Sequence, residues 1–223
     1  MSGPLSILYQ DEHLVGLEKP AGFVVHRMPG LPRDAPLLLQ TLRDQLGQRV
    51  YPVHRLDRQT SGVMVFALSS EVASKMSEHV RAGLWKKRYL ALCRGPMKEF
   101  KVAERAVPDG DARREARTDF EPLETFCGRY TLTRALPHTG RRHQIRYHLK
   151  HLRHPLVGDA NYGVGVINRF FRGTFALQRH FLHAEWLRLP HPFECRDLEL
   201  SAALPEELME VLAALREYKE EVP

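Results

Sequence analysis

The run Gly62-Val63-Met64-Val65-Phe66-Ala67-Leu68 constrains the fold of this 223-residue chain more than any other segment. Successive side chains of a β-strand point to opposite faces, and here both faces are apolar. Such a strand belongs in the centre of a sheet covered on both sides. The chain is long enough to bury that core in one large domain or two small ones. Its 43% hydrophobic and 27% charged residues describe an ordinary globular protein.

The flanks of the run supply the rest of the sheet. Leu5 to Tyr9 and Leu14 to Leu17 read as a strand pair about an Asp11-Glu12 turn, and a further strand is expected at Phe23-Val24-Val25 after the breaker Lys19-Pro20-Ala21-Gly22. Leu38, Leu39, Leu42 and Leu46 share one helical face, and Gly47 is placed to end that helix. Tyr51 to Val53 is a short strand before the central one. Ser69 or Ser70 caps a helix reaching Val80, in which Val72, Met76 and Val80 recur every fourth residue. Strands are expected at Trp85 to Arg94, Tyr130 to Leu136 and His183 to Leu189, and helices from about His143 to His154 and from Glu206 to Tyr218. The polar stretch Lys98 to Glu124 carries Pro108-Asp109-Gly110-Asp111 and reads as a long hairpin or exposed insertion. Strands that follow one another as hairpins define an α+β fold with a mixed, mostly antiparallel central sheet and flanking helices. One continuous domain over residues 1–223 is expected, with no separate N-terminal domain.

No segment approaches the ~18 apolar residues of a membrane span, and MSGPLSILYQDEHL lacks the parts of a secretory signal. A cytoplasmic protein without a membrane partner is expected. Cys93, Cys127 and Cys195 are scattered and form no disulfide or zinc pattern. The net charge of +6 is unevenly spread. Five Lys/Arg and no acid lie between Arg81 and Arg94, and five more with no acid between Arg141 and Arg153, whereas acids gather in the last 30 residues. A field sorted this way suits a polyanion on one face, and nucleic acid is the expected partner.

Three segments carry chemistry. His54-Arg55-Leu56-Asp57-Arg58-Gln59-Thr60-Ser61-Gly62 is a polar loop at a sheet end, where a rigid scaffold positions functional groups. Arg55 and Arg58 favour an ionised Asp57, which could serve as nucleophile or base; a turn with surface ion pairs would use the same residues. In Trp85-Lys86-Lys87-Arg88-Tyr89, alternation puts Trp85, Lys87 and Tyr89 on one face, a pattern that fits base stacking beside phosphate but also fits a core strand. In Thr139-Gly140-Arg141-Arg142-His143-Gln144-Ile145-Arg146, a helix would align Arg142, Arg146, Lys150 and Arg153 as a basic stripe. The nearby His143, His148, His151 and His154 lack metal-site spacing, so no metal is expected.

Together these segments resemble the RluA family of pseudouridine synthases. His-Arg-Leu-Asp with Thr-Ser-Gly is similar to its aspartate motif, Lys87-Arg88-Tyr89-Leu90-Ala91 to its tyrosine motif, and Thr139 to Arg146 to its arginine motif. Ile7 to Glu12 and Lys19-Pro20-Ala21-Gly22 also fit, with Glu18 where asparagine is usual. The resemblance implies a pseudouridine synthase fold with an RNA-binding cleft, RNA rather than DNA as the partner, no cofactor and no metal. It assigns catalysis to Asp57, Tyr89 and Arg146. Asp57 would attack the ribose C1′ of a uridine or remove a sugar proton, and the freed uracil would rejoin through C5. Tyr89 would stack on the uracil, Arg146 would pair with Asp57, and Arg55 would help expel the nucleotide. RNA contacts are expected from His54, Arg55, Leu56, Arg58, Lys87, Arg88, Arg141, Arg142, His143 and Gln144. Thr41 to Gly47, His148 to Pro155 and Phe175 to Arg179 resemble the TruC branch, which implies tRNA, modified in its T-stem region, over ribosomal RNA; Tyr162 stands where that branch commonly has histidine. A monomer is expected. The alternatives are a synthase of the same family acting on ribosomal RNA and a non-catalytic RNA-binding domain. A metal-dependent nuclease would need a carboxylate cluster that these motifs lack.

Overall fold

The computed structural model describes residues 3–25, 35–220 and 223. In chain order the elements are β1 (Ser6–Gln10), β2 (Leu14–Lys19), α1 (Leu38–Leu46), β3 (Tyr51–Pro52), β4 (Ser61–Ala67), α2 (Ser70–Arg81), β5 (Lys86–Arg94), β6 (Lys101–Glu104) and β7 (Val107–Asp109). They continue as β8 (Ala112–Arg114), β9 (Arg117–Phe126), β10 (Tyr130–Pro137), α3 (Gln144–His151), α4 (Gly165–Phe175), β11 (Leu182–Pro190), β12 (Asp197–Ser201) and α5 (Glu206–Glu217). The fold is α+β, with a large, mostly antiparallel sheet. Contacts gather the chain into two compact units, 1–86 with 184–203 and 87–183 with 204–223.

In the first unit β2 pairs antiparallel with both β1 and β4. Every residue of β4 is buried, as a strand apolar on both faces requires. Val63 and Val65 join Leu14, Val72, Met76, Leu187 and Leu198 in one cluster. Truncating a core residue such as Phe66 to alanine would cost about 3–5 kcal/mol. The Ser69 hydroxyl accepts from the Val72 amide at 3.2 Å and starts α2 as expected. Phe23 to Val25 departs from expectation, forming a single bridge from Val24 to Leu37 instead of a strand. The carbonyls of Val24 and Val25 are spent on the amides of Leu38 and Leu39, at 2.8 and 3.2 Å. They satisfy the first turn of α1, which has no side-chain cap.

In the second unit β10 lies between β5 and β9, and β6 pairs with the far edge of β9. Leu92, Phe126, Tyr130 and Leu132 bury against Ile167 and Phe171 of α4 and Leu208, Val211, Leu212 and Leu215 of α5. Ala91, Cys93 and Phe120 bury against Ile145 and Leu149 of α3. The polar insertion resolves into β6, a separate β7–β8 hairpin and the start of β9. Helix α3 is shorter than expected and ends at His151, with Arg153 in the left-handed region at φ 63°. Sequence periodicity pointed to neither α4 nor β12.

Candidate functional site

The aspartate segment belongs to the first unit. Its backbone is gripped by Lys19, the last residue of β2, which is fully buried. The Lys19 Nζ donates to the carbonyls of Pro20, Arg58 and Thr60 at 2.9, 3.1 and 2.8 Å. An ammonium withdrawn from water is tolerated when its three donors find acceptors, and these carbonyls provide them. The same residues turn tightly. The Thr60 amide donates to the Asp57 carbonyl at 3.0 Å, and the Gly22 amide to the Arg58 carbonyl at 2.8 Å. Gly62 has φ 116°, and a Cβ there would stand 2.2 Å from the Ala184 carbonyl oxygen, so only glycine lets the loop enter β4 at this approach. Leu56 is buried and Asp57 half-buried, while Arg55 and Arg58 are exposed. His54 Nε2 accepts from the Val65 amide at 2.9 Å, and its ring meets Trp85 edge-on at 5.2 Å.

The tyrosine and arginine segments belong to the second unit. Along β5, Lys86 and Arg88 are exposed, whereas Lys87 and Tyr89 are half-buried. Tyr89 packs on the cluster beneath α3. Burial pushes the Lys87 ammonium down to about 8. Gln144, read as an RNA contact, has all four hydrogen-bonding positions filled from within. Its oxygen accepts from Thr139 Oγ1 and the Arg141 amide, and its nitrogen donates to the Arg117 carbonyl and Thr118 Oγ1. It fixes the turn that leads into α3 and leaves Arg141 and Arg142 exposed. His143 holds the left-handed conformation at φ 54°, a cost of about 1–3 kcal/mol for a residue with a side chain. Its Nδ1 lies 3.3 Å from the Tyr162 hydroxyl.

Arg146 turns inward, so the expected stripe is split. Arg142, Lys150 and Arg153 face solvent and Arg146 is buried. Its Nε and Nη2 donate to Asp159 Oδ2 and Oδ1 at 2.6 and 2.8 Å. Burial pushes the Asp159 carboxyl up, but the guanidinium and the amides of Tyr162 and Asn161 outweigh it and hold the group below the usual carboxylate range. The loop around Asp159 is tied to α4. Asn168 accepts from the Gly158 amide at 2.9 Å and donates to the Asp159 carbonyl at 2.8 Å. A Cβ on Gly158 would lie 2.2 Å from the Arg179 carbonyl oxygen. Sequence reasoning gave Asp159 no role, although a signal was there: it is the single acid between Glu124 and Glu185.

Among the described residues, Asp11, His191 and Glu194 could bring three metal-ligating atoms within 4.8 Å of one another. Hydrogen bonds already engage them. The Phe193 and Glu194 amides donate to His191 Nδ1 at 3.3 and 2.9 Å, which leaves the ring proton on Nε2, 2.9 Å from Asp11 Oδ2. A metal at Nε2 would move that proton onto Nδ1, against two backbone N–H groups. The set fits a clasp between the β1–β2 turn and the 191–196 loop better than a cation site. No helix among the described residues is long and apolar enough to cross a membrane.

Residues 13–151, which include all three motif segments, match the family described as RNA pseudouridylate synthase, and the chain belongs to that family. It is 43% identical to the tRNA pseudouridine synthase C of Vibrio cholerae, over 91% of this chain and 92% of that protein. The Haemophilus influenzae tRNA pseudouridine synthase C is 40% identical, over 93% and 96%. Among solved structures, human RNA pseudouridylate synthase domain containing 4 superposes with a TM-score of 0.74 at 26% identity, covering 95% of this chain and 93% of that one.

Proposed function

We propose that this chain isomerises one uridine of tRNA to pseudouridine, in the T-stem region, as a cytoplasmic monomer that needs neither metal nor cofactor. The observation that carries the substrate is the likeness to tRNA pseudouridine synthase C over nearly the full length of both chains. Asp57 supplies the carboxylate that acts at the ribose, by addition to C1′ or by removal of a sugar proton. Either route divides a difficult glycosidic cleavage into easier steps. Tyr89 stacks on the uracil and serves the late loss of the C5 proton. Arg146 is the cationic member of the catalytic set, and its pair with Asp159 fixes where that charge points. Arg55, Arg58, Lys87, Arg88, Arg141, Arg142 and His143 contact RNA, with His54 and Leu56 shaping the loop between them. Gln144 acts by organising that surface. The test incubates purified protein with unmodified tRNA transcripts and with ribosomal RNA fragments, then maps pseudouridine by carbodiimide-dependent reverse-transcription stops. A single stop in the T-stem region is expected; stops confined to ribosomal fragments would transfer the activity to the other substrate.

A further inference from the structure

Three cations and one histidine of the second unit gather about Tyr147 and the neighbouring Tyr162, beside the part of α3 that follows Arg146. Tyr147 is buried against Val107 and Ala116 at the base of the β7–β8 hairpin. Its hydroxyl accepts from Arg113 Nη2 at 2.6 Å, which aims an exposed arginine of β8 over α3. On the next turn of α3 the His151 ring stands 4.2 Å from the Tyr147 ring. Lys150 Nζ lies 5.7 Å from the ring centre of Tyr162, which itself meets Tyr147 edge-on at 6.0 Å. Arg105 comes from the strand side. Its amide donates to the Ala116 carbonyl at 3.1 Å, and its carbonyl lies 2.9 Å from Nε2 of buried His148, so its backbone is pinned to both the hairpin stalk and the helix.

Asp111 in the hairpin turn and Glu115 after β8 are exposed and pair with none of these four side chains, and the other nearby acids are engaged elsewhere. Asp109 pairs with Arg114, and Glu104 and Asp119 pair with Arg117. Arg105, Arg113, Lys150 and His151 are all exposed, and no carboxylate lies within ion-pair distance of them among the described residues. The crowding registers on His151. Burial holds its protonated form down first, and then Arg105, Lys150, Arg113 and His148 repel it. Like charges held together raise the free energy of the empty protein, and an anion placed among them relieves that repulsion.

We infer that Arg105, Arg113, Lys150 and His151 form a phosphate-binding site for the RNA backbone beyond the target nucleotide, with Tyr147 as the post that orients Arg113. The inference rests on the reading of the chain as a tRNA-modifying enzyme and gives that substrate a second point of attachment. Phosphate contacts fix register without reading sequence. A site on the hairpin therefore holds the RNA backbone without choosing its sequence.

The test measures the dissociation constant of an unmodified tRNA transcript against salt concentration. Each phosphate contact contributes about 0.7–0.9 to the slope of log affinity against log salt. The triple variant Arg105→Gln, Arg113→Gln, Lys150→Gln is expected to lose about 2 from that slope and to bind about 10- to 100-fold more weakly near 0.1 M salt. A control variant removes three other exposed arginines, Arg49→Gln, Arg169→Gln and Arg172→Gln, and is expected to lose less than about a quarter as much slope. Tyr147→Phe keeps every charge and the core ring but frees Arg113; a loss of about 2- to 5-fold in affinity with the slope retained is expected. Unchanged slope and affinity in the triple variant, while wild-type protein still forms pseudouridine in tRNA, would overturn the site and leave the enzyme reading intact. Equal losses in the triple and control variants would also overturn it, since general charge would then account for binding. Wild-type protein that neither binds nor modifies tRNA would remove both.

Discussion

The loop carrying Asp57 and the segment carrying Arg146 are fixed by opposite means. Around Asp57 the main chain is gripped: buried Lys19 holds carbonyls of the loop, and Gly62 admits it to β4. Around Arg146 it is side chain: a bidentate carboxylate aims the guanidinium, and a saturated Gln144 sets the turn before it. The difference follows from what each loop must present. A brace on carbonyls sets the path of the loop through its backbone. An arginine has several donors, so it can spend Nε and one Nη on Asp159 and still carry its charge into a site. Shape is secured in the first loop, and orientation in the second.

Variants that exchange these means should separate the two. Asp159→Asn has the largest expected effect, because it leaves Arg146 buried without its anion. A loss of about 3–5 kcal/mol in unfolding free energy is expected, with single-turnover pseudouridine formation falling more than tRNA affinity. Retained stability would show that the pair is dispensable to the fold. Lys19→Met comes next, at about 2–3 kcal/mol by urea titration, since it leaves carbonyls of the loop without a donor. Lys19→Arg is not expected to restore the loss, because a planar fork cannot meet three acceptors that converge on one nitrogen.

The smallest effect lies at the Asp11 clasp. Burial pushes the Asp11 carboxyl up, yet hydrogen bonds from Tyr9, the Leu14 and His13 amides and His191 hold it at about 2, below its ordinary 3.8. A depressed carboxylate contributes stability that is fully present above the unfolded value and is lost as pH falls through the folded one. Thermal unfolding of the wild type should therefore lose stability between about pH 4 and 2 more steeply than Asp11→Asn does. Parallel acid limbs in the two proteins would contradict the assignment.

Much of this was legible in the residues. Both apolar faces of 62–68 required a central strand, and β4 is one. Fourfold spacing of Val72 and Met76, with Ser69 before them, marked α2 and its cap. Helix α4 was not legible, since Gly165 and Gly173 are poor helix formers and its stability comes from packing Ile167 and Phe171 into the core. Strand β12 is short, and Leu198 and Leu200 alone carry its alternation. The contacts that gather residues 184–203 with 1–86 were not legible, because that segment returns to the first unit long after the chain has left it. At the candidate site the motif residues were visible, whereas their supports were not. Lys19 and Asp159 act through contacts at sequence separations of 39, 41 and 13, and no local pattern encodes those.

In the proposed reaction this chain forms pseudouridine through the Asp57 carboxylate. Tritium release from a tRNA transcript labelled at uridine C5 measures that exchange directly, because forming the new carbon–carbon bond expels the C5 hydrogen. Wild-type protein should release one tritium per tRNA, and Asp57→Asn should release none while still binding the transcript within a few-fold and melting at the wild-type temperature. Release by Asp57→Asn at the wild-type rate would contradict the account.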